Sequence, residues 1–210
     1  MVDSFFGVIT DYDTVWLLIV CGLFGSLIAV INAAKGTHAI ANFLGKICKT
    51  GKSTLLTSWL LGIIIFVDDY MNIMTISACT KKLSDLRKVP REALAYVIDS
   101  TGAPICVLLP FSTWAIFFAG IFYEQREIVE LGYGSAIATY IQCIPYMFYA
   151  MVAVLIVPLF ILGIIPKIGA MKKAYQRVET TGRVYSETSS KLNKKEEDES
   201  NIEAKVVDFL

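Results

Sequence analysis

Two long stretches of this chain carry no Asp, Glu, Lys or Arg: residues 100–123 and residues 131–166. A helix that crosses the hydrocarbon core of a bilayer needs about 20 consecutive apolar residues, and both stretches exceed that. Surface helices of soluble proteins interleave charge at every turn. The chain as a whole agrees, being 55% hydrophobic and only 18% charged, against about 25% charged in soluble domains. The charge that exists is gathered at the ends and in short connections. The reading is an integral membrane protein.

A third apolar run, residues 14–31, holds Gly22, Gly25 and Ser26, small residues that allow helices to approach closely in a membrane. It reads as a spanning helix. Residues 32–52 carry Lys35, Lys46, Lys49 and Lys52 without an acid, and apolar residues at helical spacing suit an amphipathic helix lying in the interface. Residues 53–79 are apolar but interrupted by Asp68 and Asp69. The connection at 80–92 is again basic, whereas that at 124–130 is acidic, with Glu124, Glu127 and Glu130.

Basic connections stay in the cytoplasm, so the loops at 32–52 and 80–92 belong on one side and residues 53–79 cannot simply cross between them. The expectation is a re-entrant hairpin turning near Asp68 and Asp69. Broken backbone of this kind is tolerated only where protein or a wet cavity covers it. Residues 93–123 then leave the cytoplasm as a helix broken at Gly102, Pro104 and Pro110. Residues 131–166, roughly 54 Å long as one helix at about 1.5 Å per residue, begin as a short pre-helix, kink at Pro145 or Pro158, and return. The expected fold is an all-α membrane protein of about three spanning helices, a re-entrant hairpin and a broken helix. Residues 1–175 form the transport domain, and residues 176–210, rich in Ser, Thr, Lys and Glu, a disordered cytoplasmic tail.

Carboxylates within apolar runs are costly and commonly serve ion pathways or proton relays. Asp68, Asp69 and Asp99 are such acids, with Tyr70, Asn72, Ser100, Thr101, Ser112 and Thr113 supplying further oxygens near them. Hard cations take oxygen ligands, so this set suits Na+, with Asp69 and Asp99 as the leading pair. The bland alternatives are a polar loop outside the membrane for Asp68 and Asp69, and a helix N-cap for Asp99. Other chemistry finds little support. Cysteines 21, 48, 79, 106 and 143 are scattered, the one histidine is His38, and Gly51-Lys52-Ser53-Thr54 has the wrong glycine spacing for a phosphate-binding loop and no strand before it. No enzymatic activity, cofactor, nucleotide or nucleic acid is expected; the formal charge is zero.

FVDDYMN (66–72), REALAYVIDSTGAP (91–104), LLPFSTW (108–114), PYMFYAM (145–151) and KIGAMKKA (167–174) resemble the NhaC-type Na+/H+ antiporters of the ion transporter superfamily, in that order along the chain. The resemblance covers roughly residues 14–175. It implies a multi-pass protein of a bacterial-type inner membrane, exchanging Na+ for H+ without cofactor or ATP. The group also contains malate/lactate-type organic acid exchangers, the alternative substrate class. Family members run about twice this length and carry an inverted second repeat. The chain thus resembles one repeat, acting with a missing second half or a homo-oligomeric partner, or as a remnant that carries no flux itself.

Overall fold

In the computed structural model, residues 43–189 are described continuously, with scattered positions between 7 and 30. The expected first span (14–31) and most of the amphipathic segment (32–52) lie outside the described residues, although Val15, Ile19, Leu23 and Val30 are helical and exposed. Among the described residues every regular element is helical.

Helix α1 (Gly51–Ile64) starts at Thr50, whose side chain accepts from the Ser53 N–H. It ends at a short non-helical stretch, after which α2 (Asp69–Leu86) begins with Asp68 as its N-cap. Helix α3 (Arg91–Leu108) follows, then α4 (Thr113–Tyr123), capped by Ser112, and the single turn α5 (Arg126–Glu130). Helix α6 (Ala136–Cys143) runs through a 3-10 turn at Ile144–Tyr146 into α7 (Phe148–Leu162). Gly163, at φ 90°, takes the left-handed conformation that ends α7, and α8 (Gly169–Thr181) follows, with a 3-10 turn at Glu187–Ser189 after it.

Helix α3 is the centre, packing against α1, α2 and α7. Their shared core contains Leu55, Ile76, Val97, Ile98, Val157 and Phe160. A Cβ on Gly62 would stand 2.8 Å from Thr101 Cγ2, so α1 and α3 meet there nearly backbone to side chain. A second cluster joins α4 to α6 through Ala115, Ala119 and Tyr140, with Trp114, Phe118, Phe122 and Tyr140 stacked in sequence along it.

No single helix among the described residues is long and apolar enough to cross a membrane. Two bent pairs reach that length by composition: Arg91–Leu108 with Thr113–Tyr123, bent by 46°, and Ala136–Tyr146 with Phe148–Leu162, bent by 57°. The expected break at Gly102 and Pro104 is corrected. Both residues lie inside α3, and the chain leaves the helix only beyond Leu108, beside Pro110. Of the two prolines considered for residues 131–166, Pro158 sits within α7, and the bend falls between Tyr146 and Phe148, just beyond the 3-10 turn that holds Pro145. The expected boundary at 175/176 is also corrected. Helix α8 runs through it, and the Arg91 N–H donates to the Val184 carbonyl at 2.9 Å, pinning the following segment to the start of α3. Residues 190–210 lie outside the described residues.

Proline removes the N–H that would serve the carbonyl four residues earlier, and two such losses here are each answered by a side-chain donor. Pro158 strips the Val154 carbonyl of its donor, and the Trp59 indole N–H replaces it at 3.1 Å from α1. Pro110 strips the Cys106 carbonyl, and the Ser112 hydroxyl donates to it. The next carbonyl, Val107, receives the Tyr140 hydroxyl at 2.6 Å. An unsatisfied buried carbonyl costs about 1–3 kcal/mol. Trp59→Phe should therefore destabilise the purified chain by about that much, and adding Pro158→Ala should restore part of it, because residue 158 regains an N–H. Equal melting temperatures of Trp59→Phe and wild type would refute the substitution of donors.

Candidate functional site

The two interruptions, one between α1 and α2 and one between α3 and α4, cross each other. The Thr113 N–H donates to the Val67 carbonyl at 2.9 Å. The Thr113 hydroxyl donates to Asp68 Oδ2 at 3.0 Å, and Asp68 Oδ1 accepts the Met71 N–H at 3.1 Å. Asp68 is only 7% exposed. It caps α2 and ties the first break to the second. The N-termini of α2 and α4 both face this crossing, and the partial positive charge of such ends favours a carboxylate. Asp68 is thus held by donors of the protein itself.

Asp69 stands one residue on, in the first turn of α2, half-buried. Its Oδ1 accepts the Tyr70 N–H at 3.0 Å. That leaves more of its lone pairs uncommitted than those of Asp68.

Asn72, one turn further along α2, is fully buried. Its amide donates to the Gly62 carbonyl at 2.7 Å and to the Ile65 carbonyl, the open end of α1. Those two acceptors fix which atom of the amide is nitrogen. The remaining oxygen, Oδ1, is buried and has no partner among the described residues. It faces α3: a Cβ placed on Gly102 would stand 3.1 Å from it. Gly102 therefore leaves the approach to this oxygen open, and alanine there would crowd it.

The structure thus gathers Asp68, Asn72, Ser112 and Thr113 at one crossing, with Asp69 beside them. Thr101 is buried at its edge, its hydroxyl donating to the Val97 carbonyl at 2.7 Å and its methyl group on Gly62. Ser100 is half-buried on α3. Two expected members lie apart. Tyr70 is 64% exposed. Asp99 is exposed within α3, neither capping a helix nor paired with Asp69, and without a partner among the described residues. The expectation that Asp69 and Asp99 form a ligand pair has no support in this arrangement. Residues that sequence reasoning passed over are Gly62 and Ile65, whose carbonyls orient Asn72, and Tyr140, which holds the end of α3. The prolines mark which carbonyls need donors, but not which side chain supplies them.

No family model matches the chain. No solved structure matches it either. Among curated proteins, a Haemophilus influenzae protein described as uncharacterized is 27% identical over 135 residues, covering 64% of this chain and 26% of that protein. The chain therefore spans about a quarter of the length of this curated relative.

Proposed function

We propose that this chain is a membrane-embedded part of a secondary transporter that exchanges Na+ for H+. The observation that carries the reading is the meeting of the α1–α2 hairpin turn with the break between α3 and α4 around a buried carboxylate, with an oxygen of Asn72 that has no partner among the described residues one turn away. Transporters bind ions where helices are discontinuous, because helix ends offer carbonyls and dipoles that a continuous helix consumes internally. Buried oxygens without donors are what a desolvated cation requires, and they are costly otherwise.

In this mechanism Asp68 is the structural carboxylate, and Asp69 is the exchanging one. Na+ arriving at Asp69, with Asn72 Oδ1 as a neutral oxygen nearby, stabilises the carboxylate and the proton departs. Cation and proton thus compete for one charge, which couples their movements. An organic acid as substrate is less well served, since Asp68 already fills the positive helix ends that would receive its carboxylate.

The test uses the detergent-purified chain in weakly buffered solution. Addition of NaCl, but not of choline chloride, should release protons in a saturable manner. Asp69→Asn should remove that release, and Glu127→Gln, in the exposed α5 turn, should leave it unchanged. Proton release from Asp69→Asn equal to that of wild type would reject Asp69 as the site of competition.

A further inference from the structure

Beyond the crossing, a hollow lies between the end of α7 and the face of α8. It has a volume of about 450 Å³ and is lined by Gly163, Lys167, Lys172, Tyr175, Gln176 and Glu179, among others. We infer that this hollow binds the phosphate headgroup of an anionic phospholipid. The inference rests on the membrane reading above, but not on Na+ exchange.

Charge is the first argument. Lys167 and Lys172 line the hollow, and Lys52 stands at its rim, its Nζ donating to the Leu162 carbonyl at 3.0 Å and lying 4.0 Å from where a Cβ on Gly163 would be. Glu179 is the one carboxylate of the lining, and neither Lys167 nor Lys172 is ion-paired among the described residues. Burial pushes the Lys167 ammonium below the ordinary lysine value; Glu179 opposes this, and Lys52 adds to it. Like charges that are partly desolvated and only partly balanced favour an anion between them.

The shape of the cationic group is the second argument. The Lys167 ammonium is held over the Tyr175 ring, 3.3 Å from its centroid, so its position is fixed by a cation–π contact rather than left to solvent. Helix α8 opens at Ile168 with no side-chain cap, which leaves first-turn N–H groups available on the same side of the chain turn.

The apolar surroundings decide in favour of a lipid over free phosphate. The charge-free helix α7 leads directly into the hollow, and Leu159, Leu162, Ile164 and Ile168 are all exposed within or just beyond it. Exposed aliphatic side chains bordering a lysine cluster form the surface that acyl chain and headgroup cover together. Basic residues beside a membrane segment attract anionic headgroups in this way.

The full chain, purified in detergent, is offered phosphatidylglycerol or phosphatidylcholine, and bound lipid is counted by native mass spectrometry. Phosphatidylglycerol should be retained in preference by about tenfold or more, as two lysine contacts imply. Lys167→Gln with Lys172→Gln should lose the preference, and Lys167→Arg with Lys172→Arg should keep it, which separates loss of charge from loss of fold. Retention of phosphatidylglycerol by the double glutamine variant at the wild-type level would overturn the site. So would equal retention of the two lipids by wild type. Displacement of phosphatidylglycerol by equimolar inorganic phosphate would overturn the lipid assignment in favour of free phosphate. Resistance of the chain to carbonate extraction from membranes reports separately on the membrane reading, so the two failures are distinct.

Discussion

Asp68→Ala should lower the stability of the purified chain by about 2–4 kcal/mol, whereas Asp69→Ala should change it by about 0.5 kcal/mol or less. The two acids are adjacent, yet their surroundings differ. Asp68 is 7% exposed and accepts from both the Met71 N–H and the Thr113 hydroxyl. Loss of an N-cap costs about 1 kcal/mol, and loss of a buried hydrogen bond to a charged group about 1.5–3 kcal/mol. Asp69 is half-buried and accepts from the neighbouring N–H of Tyr70. In a chain of this size the Asp68 effect corresponds to a drop of roughly 5–15 °C in melting temperature. Thr113→Val should reproduce part of it, and the double variant should lose less than the sum, because the two side chains share one bond. Equal melting of Asp68→Ala and Asp69→Ala would remove the distinction between a structural carboxylate and the one proposed to exchange.

That distinction is one that residue order leaves open. Adjacent positions at the start of a helix point about 100° apart, so one acid caps and the other does not. Only the register of the break decides which, and here α2 begins at Asp69, making Asp68 the cap. The interruptions themselves were legible to different degrees. Paired acids inside an apolar run located the first, since two carboxylates are poorly accommodated within an uninterrupted apolar helix. The second was expected at Gly102, Pro104 and Pro110, and of these only Pro110 marks it, since α3 passes through the other two. Gly102 lies inside the helix where Asn72 and Ile73 pack closely against it, so its small size serves packing rather than a flexible joint. The break comes at Pro110, where the Cys106 carbonyl finds the Ser112 hydroxyl and the Val107 carbonyl finds Tyr140. A proline is tolerated in a helix or ends it according to the donors that distant segments offer, and those are set by tertiary packing. Asp99 shows the same limit. Its apolar neighbours in sequence suggested a buried acid, but the helical phase turns it outward.

The same packing predicts an all-or-none result for topology. The start of α1 and the end of α2 meet: a Cβ on Gly51 would stand 2.9 Å from Val89 Cγ2, and the Arg87 Nε–H donates to the Cys48 carbonyl at 3.1 Å. At the other end, Asn72 holds Gly62 and Ile65. The segment is therefore folded back on itself, with its turn at the crossing. Helix α8 joins the end where α1 starts. Arg177 bonds Glu92 at 2.8 Å, and Arg91 lies over the Tyr185 ring. Burial pushes the Glu92 carboxyl up, but the Arg177 hydrogen bond, the residue's own backbone N–H and the Arg177 charge outweigh it, so the net value lies below the usual one near 4.5. A depressed carboxylate contributes its stability above the ordinary value and loses it only as pH falls through the lowered one, so this tie is fully present at neutral pH. The cationic residues Lys49, Lys52, Arg87, Arg91, Lys172 and Arg177 are thereby gathered toward one end of the bundle, and on the proposed membrane reading that end faces the cytoplasm. With the five native cysteines replaced by alanine, Lys49→Cys and Lys82→Cys, both exposed positions, should react with a membrane-impermeant maleimide only from the cytoplasmic side. Glu127→Cys, in the acidic turn, should react only from the opposite side. If Lys49→Cys and Lys82→Cys label from opposite faces, residues 53–79 cross the membrane, and the folded-back hairpin cannot be re-entrant.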